Sequence, residues 1–212
     1  NVYGDYFYTV GDYASAEKME RSAAELEPLS AVHQLELGLV YAFRGQYTKA
    51  IQQAELAVKL GGDLQNAWWQ LCRSYIFSGD VESASRVLQE NEGGLGARYA
   101  ARVRALLAAR EEDNAVLRSI AAGEERAFQE IGGSPTIIAY FFALAGDDVN
   151  AAAYVERAFD SDDPILVSPM YFFLPDDWRG LTKLQAALSK PGLREVYELR
   201  RSYIAAGTGR VF

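Results

Sequence analysis

The sequence is poor in the residues on which several classes of protein depend. Its 212 residues include one cysteine and one histidine, so neither an internal disulfide nor a cysteine-rich zinc site can form. Only six prolines are present. The longest wholly apolar run, Ile137 to Ala145, has nine residues, whereas a membrane-spanning helix needs about 20. These absences argue against a disulfide scaffold and against direct membrane insertion of this segment.

Positive charge is also scarce. The chain has 21 Lys and Arg residues against 29 Asp and Glu residues, which gives a net charge of −8. Nucleic acid favours a basic surface, so we expect no nucleic-acid partner. Half of the residues are apolar and 24% are charged, a mixture typical of a soluble, folded domain. The sequence does not determine the cellular compartment, although it slightly favours the cytoplasm over the periplasm. Whether the chain forms a homodimer is also not determined by the sequence.

The sequence does contain a repeat, with a period of about 34 residues. Two sets of small residues keep this interval: Gly11, Gly45 and Gly79 in one set, and Ala16, Ala50 and Ala84 in the other. A later copy of the same sequence pattern begins at Gly146. The stretch between Gly79 and Gly146 leaves room for one degenerate unit, which would be centred on Glu112. A fixed interval of this length predicts that one structural unit recurs along the chain.

Each unit is predicted to be a pair of helices joined by a tight turn. Apolar residues recur at helical spacing up to Phe43 and again from Tyr47, with a break at Gly45. Glycine can adopt the left-handed backbone that ends a helix. The residue after it is Asp in three of the four clear copies, and we expect it to cap the second helix. Gly38 and Ala50 are small enough to let the two helix backbones approach closely.

This pattern resembles the tetratricopeptide family, whose 34-residue helix–turn–helix motif has Trp, Leu, Gly, Tyr, Ala and Pro at set offsets. The third unit carries Trp68, Leu71, Cys72, Tyr75, Gly79, Ala84 and Leu88 in the motif positions. The resemblance implies an all-α fold, a right-handed superhelical solenoid of helix pairs with a C-terminal helical cap. Within residues 1–163, the implied units lie near 1–30, 31–64, 65–97, 98–131 (degenerate) and 132–163. Asn1 would then lie inside the first helix of a truncated unit.

The repeat stops near Pro164, and residues 164–212 are predicted to form a cap and tail. Two helices are expected there, from Trp178 to Ser189 and from Gly192 to Ile204. Three motifs characterise the segment: Phe172-Phe173-Leu174-Pro175, Leu184-Gln185-x-x-Leu188 and Gly192-Leu193. The segment is similar to the end of the tetratricopeptide regions behind bacterial adenylate cyclase domains and behind membrane-anchored winged-helix transcription regulators. This similarity implies an alternative function, a sensory or regulatory domain that binds a small effector.

No residue pattern typical of a catalytic site is found. His33 has no catalytic partner at a recognisable spacing, and Cys72 occupies a slot that is glycine in the first two units, which favours a packing role. The acidic run 160–163 lacks the glycine of a calcium loop and is predicted to be a solvated loop. The glycine-rich run 92–98 lacks the Lys-Ser/Thr of a phosphate loop and is predicted to be a flexible connector. We therefore expect no catalysis, no metal and no cofactor.

The resemblance also implies a binding face. In this family the first helices of successive units line a concave groove. Side chains at fixed offsets, which are positions counted from the first residue of each unit, point into this groove. The candidate groove residues at those offsets are Tyr8, Leu39, Phe43, Trp69, Arg73, Phe77 and Tyr140. They imply a scaffold that binds a protein or peptide partner there. Two alternatives stay open: the C-terminal segment folds back into the groove, or superhelical curvature buries these residues as core.

One class of partner is disfavoured by the same comparison of offsets. Tetratricopeptide co-chaperones hold chaperone C-termini with Lys at offset 5 and Asn at offset 9. Here offset 5 carries Leu35 and Trp69, and offset 9 carries Asp5, Leu39 and Arg73. We therefore do not expect a chaperone C-terminus as the partner.

Overall fold

Helices form all the regular secondary structure in the part of the chain that the structure describes. The structure is a computed structural model that describes residues 2–61, 64–171 and 178–206. Within these ranges lie eleven α-helices and one 3-10 helix, Pro164–Val167, and no strand. The α-helices are α1 (Val2–Val10), α2 (Tyr13–Leu26), α3 (Ala31–Phe43), α4 (Tyr47–Leu60), α5 (Leu64–Ser78), α6 (Val81–Arg110), α7 (Asn114–Ile131), α8 (Pro135–Leu144), α9 (Asp148–Asp160), α10 (Thr182–Leu188) and α11 (Leu193–Ala205). The prediction of an all-α fold is confirmed.

The described residues fall into two units. The first comprises residues 2–107 and 203–206, and the second comprises residues 108–202. In the first unit each helix from α1 to α5 contacts the next in the chain, and α3 also contacts α5. In the second unit α7, α8, α9 and α10 contact one another in chain order. Helices that are neighbours in sequence are therefore neighbours in space within each unit.

The turns between paired helices share one backbone geometry. A residue with positive φ ends the first helix in five turns that recur at nearly constant spacing along the chain: Gly11, Gly45, Gly79, Glu112 and Gly146. In each turn the next N–H donates to the carbonyl five positions upstream at 2.9 Å, as from Gln46 to Tyr41. This is the Schellman helix end, which requires a left-handed residue. Aspartate follows that residue in four turns, and its carboxylate accepts a backbone N–H of the next helix, which confirms the predicted caps.

Glu112 occupies the place of glycine in the turn between α6 and α7. Its φ is 56° and its side chain is exposed. This turn lies where the degenerate unit is expected to be centred. The left-handed region costs a residue with a Cβ atom roughly 1–2 kcal/mol. The turn at Glu112 therefore keeps the left-handed backbone of the other four turns, although it lacks their glycine.

Glu112→Gly is expected to raise the free energy of unfolding by roughly 0.5–1 kcal/mol. Relief of the left-handed strain should outweigh the added entropy of the unfolded chain. Urea unfolding followed by circular dichroism measures the change. Glu111→Gly is the matched control, because Glu111 is also exposed and has an ordinary negative φ. It should lower stability, and shifts of the same sign in both variants would contradict the argument.

Small residues lie where the paired helices cross. A Cβ built on Gly38 would lie 3.1 Å from the Cβ of Gln53 and 3.4 Å from the carbonyl oxygen of Ala50. In the next pair, the Sγ of Cys72 lies 3.8 Å from the carbonyl oxygen of Ala84. Ala50 and Ala84 are at most 1% exposed. The close approach predicted for the two backbones is confirmed in these pairs.

The glycine-rich run 92–98 joins two helical segments across a kink. It lies inside α6, and the backbone leaves helical geometry within that helix at Asn91 and Gly96. Gly93 and Gly94 remain helical although each costs about 1 kcal/mol relative to alanine. The chain therefore breaks its helical geometry here, close to the predicted boundary between the units 65–97 and 98–131, and the flexibility expected of this run stays a prediction.

Two helices, α10 and α11, follow the 3-10 helix, as expected for the end of the chain. α10 begins at Thr182 rather than near Trp178, because Gly180 adopts a φ of 87° in the preceding turn. The carboxylate of Asp148 accepts hydrogen bonds from the backbone N–H groups of Lys183 and Leu184, at 3.0 and 2.8 Å. The start of α9 thus caps the start of α10. Residues 172–177 and 207–212, which hold the aromatic Pro motif and the glycine-containing tail, lie outside the described residues.

Candidate functional site

Six side chains of the first unit form one continuous group. We term it the aromatic–arginine cluster, and its members are Tyr8, Tyr13, Phe43, Tyr47, Arg73 and Phe77. The ring of Phe43 stacks on those of Tyr8 and Tyr13 at centroid distances of 6.1 and 5.3 Å. The ring of Phe77 stacks on that of Tyr47 at 6.3 Å. The guanidinium of Arg73 joins the two stacks, with its Cζ 5.1 Å from the centroid of Phe43 and 5.4 Å from that of Phe77.

The repeat explains why these side chains meet. Phe43 and Phe77 occupy the same position of successive units, near the ends of α3 and α5, and these helices contact each other. Tyr13 and Tyr47 are likewise equivalent, as the first residues of α2 and α4. Arg73 lies one helical turn before Phe77, so both project from the same side of α5. Equivalent positions of successive helix pairs therefore converge on one arginine.

Arg73 is a cation in a largely desolvated environment. Its side chain is only 4% exposed. The faces of two phenyl rings stabilise the guanidinium through their quadrupoles, an interaction that strengthens when water is excluded. The guanidinium of Arg73 thus contacts two rings, which limit its movement.

Burial divides the candidate groove residues into two groups. Leu39, Phe43, Trp69, Arg73 and Tyr140 are between 0% and 8% exposed, whereas Tyr8 and Phe77 are half-buried. The five buried side chains belong to the interior and contribute to stability. The alternative in which these positions pack as core therefore describes them better than an open groove. Tyr8 and Phe77 are the two candidates that keep surface for a partner.

Trp69 forms a second group with residues of α6. Its ring lies 6.1 Å from the ring of Tyr99, and the Cζ of Arg102 lies 5.0 Å from that same ring. Trp69 is 4% exposed, while Tyr99 and Arg102 are half-buried. The buried indole Nε1 has no hydrogen-bond acceptor among the described residues. Leaving such a donor unsatisfied costs about 1–3 kcal/mol.

Tyr140, in the second unit, is covered by residues from beyond the repeats. Its ring lies 5.2 Å from that of Tyr171 and 6.0 Å from that of Trp178, both edge-on. Both residues come from the segment that the sequence assigns to the cap. The candidate groove residue of the unit 132–163 is therefore covered by another part of the same chain.

Asp163 connects the end of the repeats to α8 within the second unit. Its Oδ2 accepts hydrogen bonds from the Oγ of Ser134 at 2.5 Å and from the N and Oγ1 of Thr136 at 3.2 and 2.8 Å. Its Oδ1 accepts from the N–H of Ile165 at 3.1 Å. Burial alone would raise the pKa of Asp163, but these hydrogen bonds together outweigh it and lower the pKa below its usual value. This carboxylate of the acidic run 160–163 therefore has a structural role.

Cys72 is buried, and His33 lies beside a glutamate carboxylate. Burial raises the pKa of Cys72 to about 12, so its thiol stays protonated at neutral pH and is a poor nucleophile. The Nε2 of His33 lies 3.6 Å from the Oε2 of Glu27. In residues 2–61, 64–171 and 178–206 no group of three or more His, Cys, Asp or Glu side chains is arranged to hold a metal ion.

Four residues of these groups were not among the candidates from sequence: Tyr13, Tyr47, Tyr99 and Arg102. Tyr13 and Tyr47 had a detectable signal, because they follow the turn residues Gly11 and Gly45 by the same two positions. Tyr99 and Arg102 had none, because they belong to the degenerate unit and lie beyond the kink of α6. The repeat could therefore have predicted Tyr13 and Tyr47, but not Tyr99 and Arg102.

Comparison of the chain with protein-family models found no match, and comparison with curated proteins found none either. Of the helices that the structure describes, none is long and apolar enough to cross a membrane. The resemblance to the tetratricopeptide family thus rests on the spacing of residues in this chain.

Proposed function

We propose that this chain is a non-catalytic protein-interaction module of the tetratricopeptide type, a right-handed solenoid of helix pairs that binds a peptide or a helix. The binding face is the one to which α1, α3 and α5 contribute Tyr8, Phe43, Arg73 and Phe77. The recurrence of one turn geometry at nearly constant spacing supports the architecture. The absence of a catalytic residue pattern in the sequence supports a function in binding.

The aromatic–arginine cluster is the observation that carries this proposal. Protein interfaces draw most of their binding energy from a few aromatic and arginine residues that sit on a rigid support. Tyr8 and Phe77 keep exposed surface, while the buried Phe43 and Arg73 pack against their rings and hold them in place. A partner that covers these two rings would bury apolar area without having to order the side chains beneath them.

A peptide-display selection on the full chain tests this proposal. Peptides enriched from a random peptide library are labelled with fluorescein, and their dissociation constants are measured by fluorescence polarisation. We expect the double variant Tyr8→Ser and Phe77→Ser to bind at least about tenfold more weakly, the loss of one to two modest hot-spot contacts. Circular dichroism should show unchanged helix content.

Phe159→Ser is the matched control, because Phe159 is an aromatic residue with 36% of its surface exposed in the second unit. It should bind the selected peptides as the unchanged chain does. A selection without enrichment, or peptides that bind all the variants equally, would reject the proposed binding face.

A further inference from the structure

We propose that the surface of the first unit where α2, α3 and α4 meet binds an acidic segment of a partner protein through Arg21, Arg44 and Lys49. We term these three residues the cationic site. The proposal goes beyond the function proposed above, because none of the three belongs to the aromatic–arginine cluster. It rests on the arrangement of the three residues around Tyr41, which lies in α3.

Contacts with one ring and one carboxylate bring the three cations together. The Cζ of Arg21 lies 5.8 Å from the centroid of the Tyr41 ring, and the Nζ of Lys49 lies 5.1 Å from it. Arg21 and Arg44, the residue that follows the end of α3, bind the two oxygens of the Glu17 carboxylate. Tyr41 itself is only 4% exposed, so the cations lie against a buried support.

Positive charge exceeds negative charge at the cationic site. The two arginines share the single carboxylate of Glu17, whose side chain is 13% exposed. Lys49 forms no ion pair with a residue that the structure describes. One further carboxylate, that of Glu25, influences the pKa of Tyr41. Three cations therefore face two carboxylates, in a chain whose net charge is −8.

The three cations can be reached from solvent. The side chains of Arg21 and Arg44 are 47% and 29% exposed, and Lys49 is exposed as well. A guanidinium has five N–H donors and an ammonium has three, so contact with one shared carboxylate leaves donors for a ligand. A carboxylate of a partner could therefore bind here without any side chain having to leave the interior.

The next helix pair indicates that packing alone does not require these cations. Tyr75 is the equivalent of Tyr41, one period later in the sequence, and Glu55 is the equivalent of Arg21. There the hydroxyl of Tyr75 donates a hydrogen bond to the Oε1 of Glu55 at 3.2 Å. The other two positions of the cationic site hold serines in that pair, Ser78 and Ser83. The repeat thus keeps the tyrosine without the cations, and the cationic site is a feature of one pair.

The size and surroundings of the cationic site favour an acidic protein segment. Carboxylates on alternate residues of an extended chain are about 7 Å apart. One short segment can therefore reach both Arg21 and Lys49, which contact the same ring. A nucleic acid or a membrane surface carries a longer array of negative charge. Such an array would also meet the acidic surface of this chain and be repelled there.

Fluorescein-labelled hexaglutamate tests the proposal by fluorescence polarisation on the full chain at low salt. The double variant Arg21→Gln and Lys49→Gln should bind it about fivefold more weakly, because two favourable ion pairs are lost. Lys59→Gln with Arg86→Gln is the matched control, since it removes one lysine and one arginine from exposed positions elsewhere in the first unit. It should bind hexaglutamate as the unchanged chain does. Equal losses in the two double variants, or no saturable binding, would overturn the proposal.

Glu17→Gln distinguishes a binding role of the cations from a packing role. It removes the carboxylate that both arginines share, so hexaglutamate should bind about threefold more tightly. Urea unfolding of the same variant should show no gain in stability, because two ion pairs within the chain are lost. Unchanged or weaker binding by Glu17→Gln would show that the arginines serve packing alone and would reject the proposal.

Two further measurements test the choice of partner and of surface. Hexaglutamine should not bind, and single-stranded DNA of equal charge should bind more weakly than hexaglutamate; the opposite result for either ligand would overturn the choice of an acidic protein segment. The double variant Tyr8→Ser and Phe77→Ser should bind hexaglutamate as the unchanged chain does. A loss of binding in that variant would place the acidic segment on the face proposed for the selected peptides and would reject the cationic site alone.

Discussion

Phe43→Ala is expected to lower the free energy of unfolding by about 3–5 kcal/mol, the usual cost of removing a fully buried phenylalanine from a core. Phe43 is completely buried, and its ring contacts those of Tyr8 and Tyr13 as well as the guanidinium of Arg73. The truncation would remove all three contacts at once and leave a cavity. Urea denaturation followed by circular dichroism measures the loss.

The same substitution decides between two interpretations of this position. A groove residue on an open surface would lose binding and little stability, whereas a core residue loses stability first. Phe159→Ala is the control, because 36% of that side chain is exposed, and it should cost less than about 1.5 kcal/mol since less apolar area is removed from contact. A Phe43 variant as stable as the unchanged chain would contradict the packing described for the aromatic–arginine cluster.

Helix pairs could be predicted from the sequence because each position of the turn has a local physical cause. Glycine with positive φ ends a helix and aspartate caps the next one, and both effects depend on a few consecutive residues. Even the degenerate turn at Glu112 could be located, because the copies on either side fix its distance. The break within α6 could be located from the run of glycines, since Gly96 lies beside the predicted boundary between the units 65–97 and 98–131. The helical geometry of Gly93 and Gly94 could not be predicted, because glycine weakens a helix locally.

The candidate site could be predicted only in part, for a reason that lies in packing. Offsets within a repeat identify the side of a helix from which a residue projects. They do not identify what covers that side. Phe43 and Phe77 share one offset, yet Phe43 is fully buried and Phe77 is half-buried. Tyr140 is covered by Tyr171 and Trp178 from a segment without any repeat. Burial of this kind depends on contacts between residues distant in sequence, which a period cannot encode.

Ala50→Leu is expected to lower the free energy of unfolding by about 1–3 kcal/mol through overpacking. Ala50 is 1% exposed, and its backbone carbonyl oxygen lies 3.4 Å from where a Cβ on Gly38 would be. Three added carbon atoms have no space at this crossing, so α3 and α4 would have to separate. Because α4 also contacts α5, the displacement should spread to the next pair and reduce the cooperativity of thermal unfolding.

Ala14→Leu is the matched control for this overpacking. Ala14 is the second residue of α2 and is exposed, so the same substitution should change stability by less than about 0.5 kcal/mol there. Calorimetry on both variants compares the two positions directly. If Ala50→Leu proved as harmless as Ala14→Leu, the helices would not meet at their small residues, and the close crossing on which the repeated pairs depend would be wrong.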